Sequence, residues 1–499
     1  MKNTFLAWIR GSVAVAMVFS FLSHLSGAEP GDWQSLFDGQ SLKGWRASEN
    51  PNSFKVENGT IVADGPRAHL FYVGADGQAS FKNFELEFEA KAGPLANSGV
   101  FFHTRFQDKG FPGAGMEVQI HNARHGEGDY RENKLTGSLY GVRNVYKALV
   151  PDEVWFKMFV RVSGKRVQIR VNDTLVVDYL QPTPAFTNPD RPGRRLGEGT
   201  FALQCHDPKS KVWFRNFRMR RLPDEAPAED LREVQMTEHD RSVLRLGAGN
   251  YPVVNYHTHL KGGLTLQEAL AESRRTGVFY GVAVNCGVGF GITNDAGIYQ
   301  FLNEMKGQPV FVAMQAEGRE WVKMFSPEAV AKFDYVFTDS MTFTDRQGKR
   351  MRLWIKEEVG EIADKQAFMD LLVEKTVEIL TREAVDIYVN PTFLPDVLAA
   401  EYDTLWTPER MKRVIDAAAA NGVAIEINAR YKLPSANFIK MAKEAGCKFT
   451  FGTNNGGREV GDLDYCFQMV RECGLRWQDI WTPKPDGQKP VQRYGKLLR

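Results

Sequence analysis

Glu117, Gln119 and His121 take alternate positions in the run Met116-Glu117-Val118-Gln119-Ile120-His121. Alternate side chains of a β-strand share a face, so these three point one way while Met116, Val118 and Ile120 enter a core. By the same rule, Gly99 to Arg105 places His103 and Arg105 together on one face of a neighbouring strand. A carboxylate, two imidazoles and a guanidinium on one side of a sheet form a candidate site for proton transfer. Arg105 carries a second expectation, a structural pairing with Glu117 across adjacent strands. His125 and Lys134 follow in a glycine-containing loop.

These residues need a sheet to hold them, and the first half of the chain supplies the signals for one. Short alternating runs such as Phe84–Glu89, Lys157–Val162, Val167–Val171, Gly199–Gln204 and Val212–Phe217 are separated by Gly, Asn, Asp and Pro. Strands at that spacing predict an all-β sandwich or jelly roll over residues 30–222, with Met116–His121 central in it. Residues 223–250 are polar and open with Pro and acids, which predicts a linker. From residue 251 to 485 strands and amphipathic helices alternate, which predicts a parallel α/β barrel. Seven strand-like runs end near His257, Asn285, Glu317, Asp339, Asn390, Asn428 and Asn454. Residues 486–499 read as a basic tail.

Composition limits the function classes. The chain has 499 residues, 43% hydrophobic and 25% charged, with a formal net charge of +2. That length predicts more than one domain, and the charge balance gives no basis for nucleic-acid binding. The five cysteines are scattered without a CxxC pair, so neither a disulfide framework nor a zinc ribbon is expected. Lys2 and Arg10, the apolar run Val13–Leu22 and the small residues Ser26-Gly27-Ala28 predict a signal peptide over 1–28. Export to the periplasm or exterior is therefore expected, with no membrane span in the mature protein. No glycine-rich dinucleotide fingerprint follows a strand, so no nucleotide or redox cofactor is expected.

The N-terminal half resembles the 3-keto-disaccharide hydrolase domain family. The residues carrying the likeness are Leu36-Phe37-Asp38-Gly39, Leu42-Lys43-Gly44-Trp45, Val56-Glu57-Asn58-Gly59, Asn97-Ser98-Gly99-Val100-Phe101-Phe102, Glu117-Val118-Gln119-Ile120, Gly137-Ser138-Leu139-Tyr140 and Phe214-Arg215-Asn216-Phe217. The resemblance implies a concanavalin-like jelly roll acting on sugars whose C3 hydroxyl has become a ketone. Such a ketone acidifies the C2 proton, so the glycosidic bond can break by elimination without the paired carboxylates of ordinary glycosidases. On that reading Glu117 and His121 transfer protons, while His103 and Arg105 polarise the ketone or hold a metal that does so. Gln119, His125, Lys134 and Tyr140 are expected to bind the substrate, which a sugar 3-dehydrogenase must supply.

The C-terminal half resembles the polymerase and histidinol phosphatase superfamily of metallo-hydrolases. The likeness rests on Asn255-Tyr256-His257-Thr258-His259, Glu317, Glu426-Ile427-Asn428 and Phe451-Gly452-Thr453-Asn454-Asn455. His257 and His259 alternate onto one strand face, a geometry suited to chelating one metal. The sequence departs from the family in that His259 is its last histidine, and Asn285, Asn390 and Asn454 stand where ligands are expected. A trinuclear centre is therefore excluded, which leaves one Zn or Mn held by His257, His259, Glu317 and Asp339. Three functions remain open: a 3-keto-glycoside hydrolase in the jelly roll, a carbohydrate-binding jelly roll serving a metal-dependent barrel, or two saccharide-binding domains without catalysis.

Overall fold

Two antiparallel sheets, one of eight strands and one of five, form the N-terminal half of a computed structural model that describes residues 31–499. The expected signal peptide, 1–28, lies outside the described residues. In the eight-stranded sheet Phe84–Ala92 lies between Val212–Arg221 and Phe156–Ser163. The five-stranded sheet runs in the order Trp45–Ala47, Ala68–Tyr72, Thr200–Cys205, Asn97–Thr104, Met116–His121. Between them lies an apolar core that includes Phe84, Phe88, Phe102, Val118, Ile120, Phe201 and Phe214. Met116, Val118 and Ile120 enter that core as alternation requires, which leaves Glu117, Gln119 and His121 on the outer face.

Met116–His121 is an edge strand, not a central one. Its free side is covered by the irregular segment 136–140: Gln119 N donates to Ser138 O at 3.0 Å, Thr136 N to His121 O at 2.9 Å and Tyr140 N to Glu117 O at 2.9 Å. A covered edge cannot recruit a foreign strand, and the covering segment brings Tyr140 to the site.

Seven parallel strands close a barrel in the second half: Val254–Thr258, Phe279–Cys286, Phe311–Ala316, Tyr335–Thr338, Ile387–Tyr388, Ala424–Asn428 and Phe449–Gly452. The outer helices begin at side-chain caps. Thr265, Asp364, Thr407 and Ser435 each accept from the backbone N–H three residues on, starting Leu266–Thr276, Lys365–Arg382, Pro408–Asn421 and Ala436–Glu444. Among the described residues no helix is long and apolar enough to cross a membrane.

The linker is largely ordered. Thr237 and Asp240 form a capping box that opens the helix Glu238–Ala248. Residues 486–499 pack on the barrel as well: Lys489 Nζ donates to Phe333 O at 2.8 Å, and Leu498 bridges to Glu383. The jelly roll sits against the N-terminal ends of the barrel strands. Tyr146 donates to Tyr251 O at 3.0 Å and meets Phe279 edge-on, while Lys147 Nζ reaches Asp334 at 2.8 Å. The mouth formed by the strands' C-terminal ends lies at the opposite end of the barrel from this contact.

Candidate active site

Above the five-stranded sheet lies a cavity of about 490 Å³ whose wall includes Asn97, Glu117, Gln119, His125, Glu132, Tyr140, Arg191, Gln204, His206 and Asp207. Glu117 is fixed from three sides. Gln204 Nε2 donates to its Oε1 at 3.3 Å, Arg194 Nη1 lies 3.0 Å from its Oε2, and Gly99 makes room beneath it. A Cβ at Gly99 would stand 2.6 Å from Glu117 Oε1. Gln119 is anchored through Nε2 to Asn97 Oδ1 at 3.1 Å, while its own Oε1 is buried without a donor among the described residues.

Glu132 is the second carboxylate, and it is saturated. It accepts from Lys134 Nζ, Tyr130 OH and Tyr140 OH, each at 2.8 Å, and from the Lys134 backbone N–H at 2.9 Å. Although burial pushes the other way, the lysine and these donors hold its carboxyl below the usual range. Tyr140 is thereby oriented into the cavity, and burial beside Glu132 keeps its phenol protonated. Lys134 acts from behind. Its ammonium is buried, bonded to Glu132 and to Asn250 Oδ1 at 2.9 Å, so it braces Glu132 and does not face the cavity.

The structure corrects three of the expected catalytic residues. His103 lies in a β-bulge: Thr104 pairs with Thr200 but Phe101 with Ala202, which gives the strand one extra residue there. With φ at +55° the His103 ring turns into the core against Phe84 and Phe102, bonded to Lys82 O at 2.9 Å and accepting from Gly197 N at 3.1 Å. Burial pulls its pKa to about 4, so it is a neutral structural group. Arg105, past the bulge, is exposed near Tyr72 and Glu198 and makes no pair with Glu117. His121 keeps the predicted face but is buried behind His125, with ring centroids 4.6 Å apart and Nδ1 on Ala96 O. Its pKa is also lowered to about 4 by burial.

Two groups that sequence reasoning missed stand near the same face. Arg194, from the loop before Thr200–Cys205, is the guanidinium that meets Glu117, and it lies over the Phe101 ring at 4.7 Å. While Nη1 is held by Glu117, its Nε is buried without an acceptor among the described residues. A buried guanidinium with one unspent N–H is suited to an oxygen that gains negative charge. His206, directly after the same strand, bonds through Nδ1 to Asp207 Oδ2 at 2.7 Å. Asp207 is held in turn by Ser210 Oγ and Lys209 N, both at 2.8 Å, and these bonds outweigh burial to keep it ionised. The adjacent His-Asp pair just past a strand was the signal available in the sequence.

The barrel mouth gathers the predicted polar residues but does not arrange them as a metal cage. His257 Nδ1 is taken by Glu426 Oε1 at 2.7 Å, and its Nε2 lies 3.3 Å from Gln315 Oε1. Asn285 donates to Glu317 at 2.6 Å, and Asp339 accepts from Met341 N and Asn390 Nδ2. His259 Nε2 is buried without a partner among the described residues, and burial drives its pKa well down. Burial and the nearby Asp339 push Glu317 up to about 8, and Asp339 is raised as well. The expected set His257, His259, Glu317 and Asp339 thus does not fit a Zn or Mn ion as arranged, because Glu426 holds His257, Asn285 holds Glu317 and Asn390 holds Asp339, which leaves His259 Nε2 as the one donor of the four without a partner among the described residues. Among the described residues, three such donors come within 4.8 Å of one another at His239, Asp462 and Asp464, on the surface.

Comparison with known proteins follows the same division of the chain. A glycosyl hydrolase-like protein of known structure from Parabacteroides distasonis is 21% identical, covers 38% of this chain and 94% of its own, and has a TM-score of 0.33. Histidinol phosphate phosphatase from Lactococcus lactis, solved with zinc, L-histidinol and phosphate, is 14% identical over 45% of this chain and 95% of its own, with a TM-score of 0.35. At those scores neither bears on chemistry. A relative named 3-keto-disaccharide hydrolase, from Bacteroides thetaiotaomicron, is 27% identical and covers 38% of this chain and 78% of its own length. Residues 32–220 match the family described as the 3-keto-alpha-glucoside-1,2-lyase-like domain.

Proposed function

We propose that the jelly roll cleaves 3-keto-glycosides, beginning with removal of the proton at C2. One observation carries this reading: Glu117 and Glu132 are committed to cations and phenols, while the imidazoles His206 and His125 line the same cavity. Ordinary glycoside hydrolysis needs one carboxylic acid and one free carboxylate across the bond. Carboxylates fixed in this way suit binding better than proton transfer. An elimination needs a base near C2 and a cation near the ketone oxygen; His206 lines the cavity as the base, and Arg194, paired with Glu117 on its wall, supplies the cation from the border with the neighbouring cavity.

In that mechanism the His206 imidazole, oriented by Asp207, takes the C2 proton, and the C–H electron pair forms a C2=C3 bond with negative charge on O3. Arg194 stabilises that oxygen. Collapse of the enolate restores the C3 ketone, forms a C1=C2 bond and expels the aglycone oxygen, which takes its proton from the His206 imidazolium. Water added across C1=C2 then completes a net hydrolysis. His125, whose pKa burial lowers, is a neutral acceptor for a sugar hydroxyl. The substrate requires an upstream dehydrogenase acting at C3, and the N-terminal 28 residues support export to the periplasm or exterior.

The binding-module alternative, with hydrolysis in the barrel, is disfavoured by the molecule's layout, since the cavity and the barrel mouth face different ends. The test uses the full chain with a 3-keto-glucoside and its unoxidised parent. The wild type releases aglycone from the ketone only, and exchanges the C2 hydrogen for deuterium in D₂O. His206→Ala lowers kcat by about 10²-fold or more and abolishes the exchange, with thermal stability retained. Unchanged turnover and exchange in that variant would sink the assignment.

A further inference from the structure

A second cavity, of about 340 Å³, adjoins the first and shares Tyr130, Tyr140 and Arg191 with it. Its wall comes from both halves of the chain. Phe186, Asn188 and Asp190 belong to a jelly-roll loop, Ala248, Gly249 and Asn250 end the linker helix, and Trp477 opens the short turn Trp477–Asp479 of the barrel half. We propose that this cavity is the leaving-group subsite of the 3-keto-glycoside site and that Trp477, supplied by the barrel domain, is its specificity-determining residue. The inference rests on the function proposed above.

Position comes first. Arg194 borders the second cavity and Glu117 the first, and the two side chains are 3.0 Å apart. The guanidinium placed at the reacting ketone therefore stands at the junction. A sugar bound over Gln119 and His206 directs its C1 substituent across Tyr140 into the second space. Each volume lies in the range of about 300–1,000 Å³ usual for small-molecule sites, so each accommodates a ring.

The lining chemistry defines the class of leaving group. The Trp477 and Tyr130 rings meet edge-on at 5.7 Å, and Phe186 and Tyr140 add two further aromatics. Asn250 is spent on structure: its side chain accepts from Lys134 Nζ and Asn133 N and donates to Arg131 O. The backbone on either side of Trp477 is tied down, since Asp479 accepts from Arg476 N at 2.8 Å and Trp481 N donates to Phe449 O at 2.8 Å. An indole beside a phenol ring favours a partner with a flat apolar face, which both a second pyranose and a phenolic ring possess. Small alkyl groups gain nothing there.

The experiment measures kcat/KM of the full-length wild type, Trp477→Ala and Trp477→Phe on three 3-keto-glucosides bearing methyl, phenyl or glucosyl at C1. Trp477→Ala should lower the ratio of the phenyl or glucosyl value to the methyl value at least about tenfold, through KM, with Trp477→Phe intermediate. Loss confined to the phenyl or to the glucosyl substrate identifies which ring the subsite takes, and either supports the proposal. If the wild type turns over the methyl substrate while the ratios stay unchanged in both variants, the subsite is overturned and the proposed function stands. If the wild type cleaves none of the three, the function itself fails and the subsite with it.

Discussion

At the scale of the single residue, the site depends on a hydrogen. Gly99 pairs with Gln119 across the strands and has no positive φ, so alanine would suit its backbone. What forbids alanine is Glu117, whose Oε1 and Cγ would lie 2.6 and 2.9 Å from the new methyl group. Gly99→Ala should push the carboxylate off Gln204 and Arg194, and displacement of about 1 Å at an active site costs about 10²-fold in rate. Steady-state kinetics together with the thermal midpoint checks this: activity should fall far more steeply than the roughly 1–3 kcal/mol typical of overpacking would explain. Undiminished turnover would remove Glu117 and Arg194 from the chemistry. The face of Glu117 and Gln119 was legible in the sequence because alternation alone decides it. The guanidinium was not, because a one-residue bulge at His103 reverses the parity that made Arg105 attractive, and Arg194 arrives from a loop with no periodic signal.

At the scale of elements, the seven barrel strands were readable from their polar ends, and each closes near the residue expected. The chemistry of those ends was less readable, since a ligand-like spacing does not say what else will claim the donor atoms. Glu426 claims His257, Asn285 claims Glu317, and Asn390 links Asp339 to Asn428 and Asn454. One consequence concerns pH. Glu317 has its carboxyl raised from 4.5 to about 8 by burial and by Asp339, so the folded protein holds that proton more tightly than the unfolded chain. Its contribution to stability is complete below the unfolded value and is lost as pH rises through the folded one, by up to about 1.4 kcal/mol per pH unit in between. Glu317→Gln keeps an acceptor for Asn285 and removes the titration. Thermal melts should show the variant gaining on the wild type from pH 5 to pH 8; a constant difference across that range would mean that Glu317 is ionised throughout.

At the scale of the molecule, the two halves share an apolar core. Val145 and Tyr146 belong to the jelly roll by sequence, yet they pack in the cluster that fills the lower barrel with Val253, Tyr256, Phe279 and Phe311. Tyr146 also donates to Tyr251 O, while its own carbonyl accepts from Arg124, whose guanidinium lies 5.8 Å from the centre of the Phe311 ring. Polar ties surround this contact: Lys147 to Asp334 and Val310 O, Arg143 to the carbonyls of Arg274 and Arg275, and Lys134 and Asn133 to Asn250. A junction with a buried aromatic at its centre and polar ties around it should couple the halves into one cooperative unit. Calorimetry of the full chain should therefore give a single unfolding transition. Truncating a large buried aromatic to alanine costs about 3–5 kcal/mol, and here the loss falls on the coupling, so Tyr146→Ala should split the trace into a jelly-roll and a barrel transition. Two well-separated transitions in the wild type would show that the halves fold independently, and would make the shared wall of the second cavity a looser structure than its geometry implies.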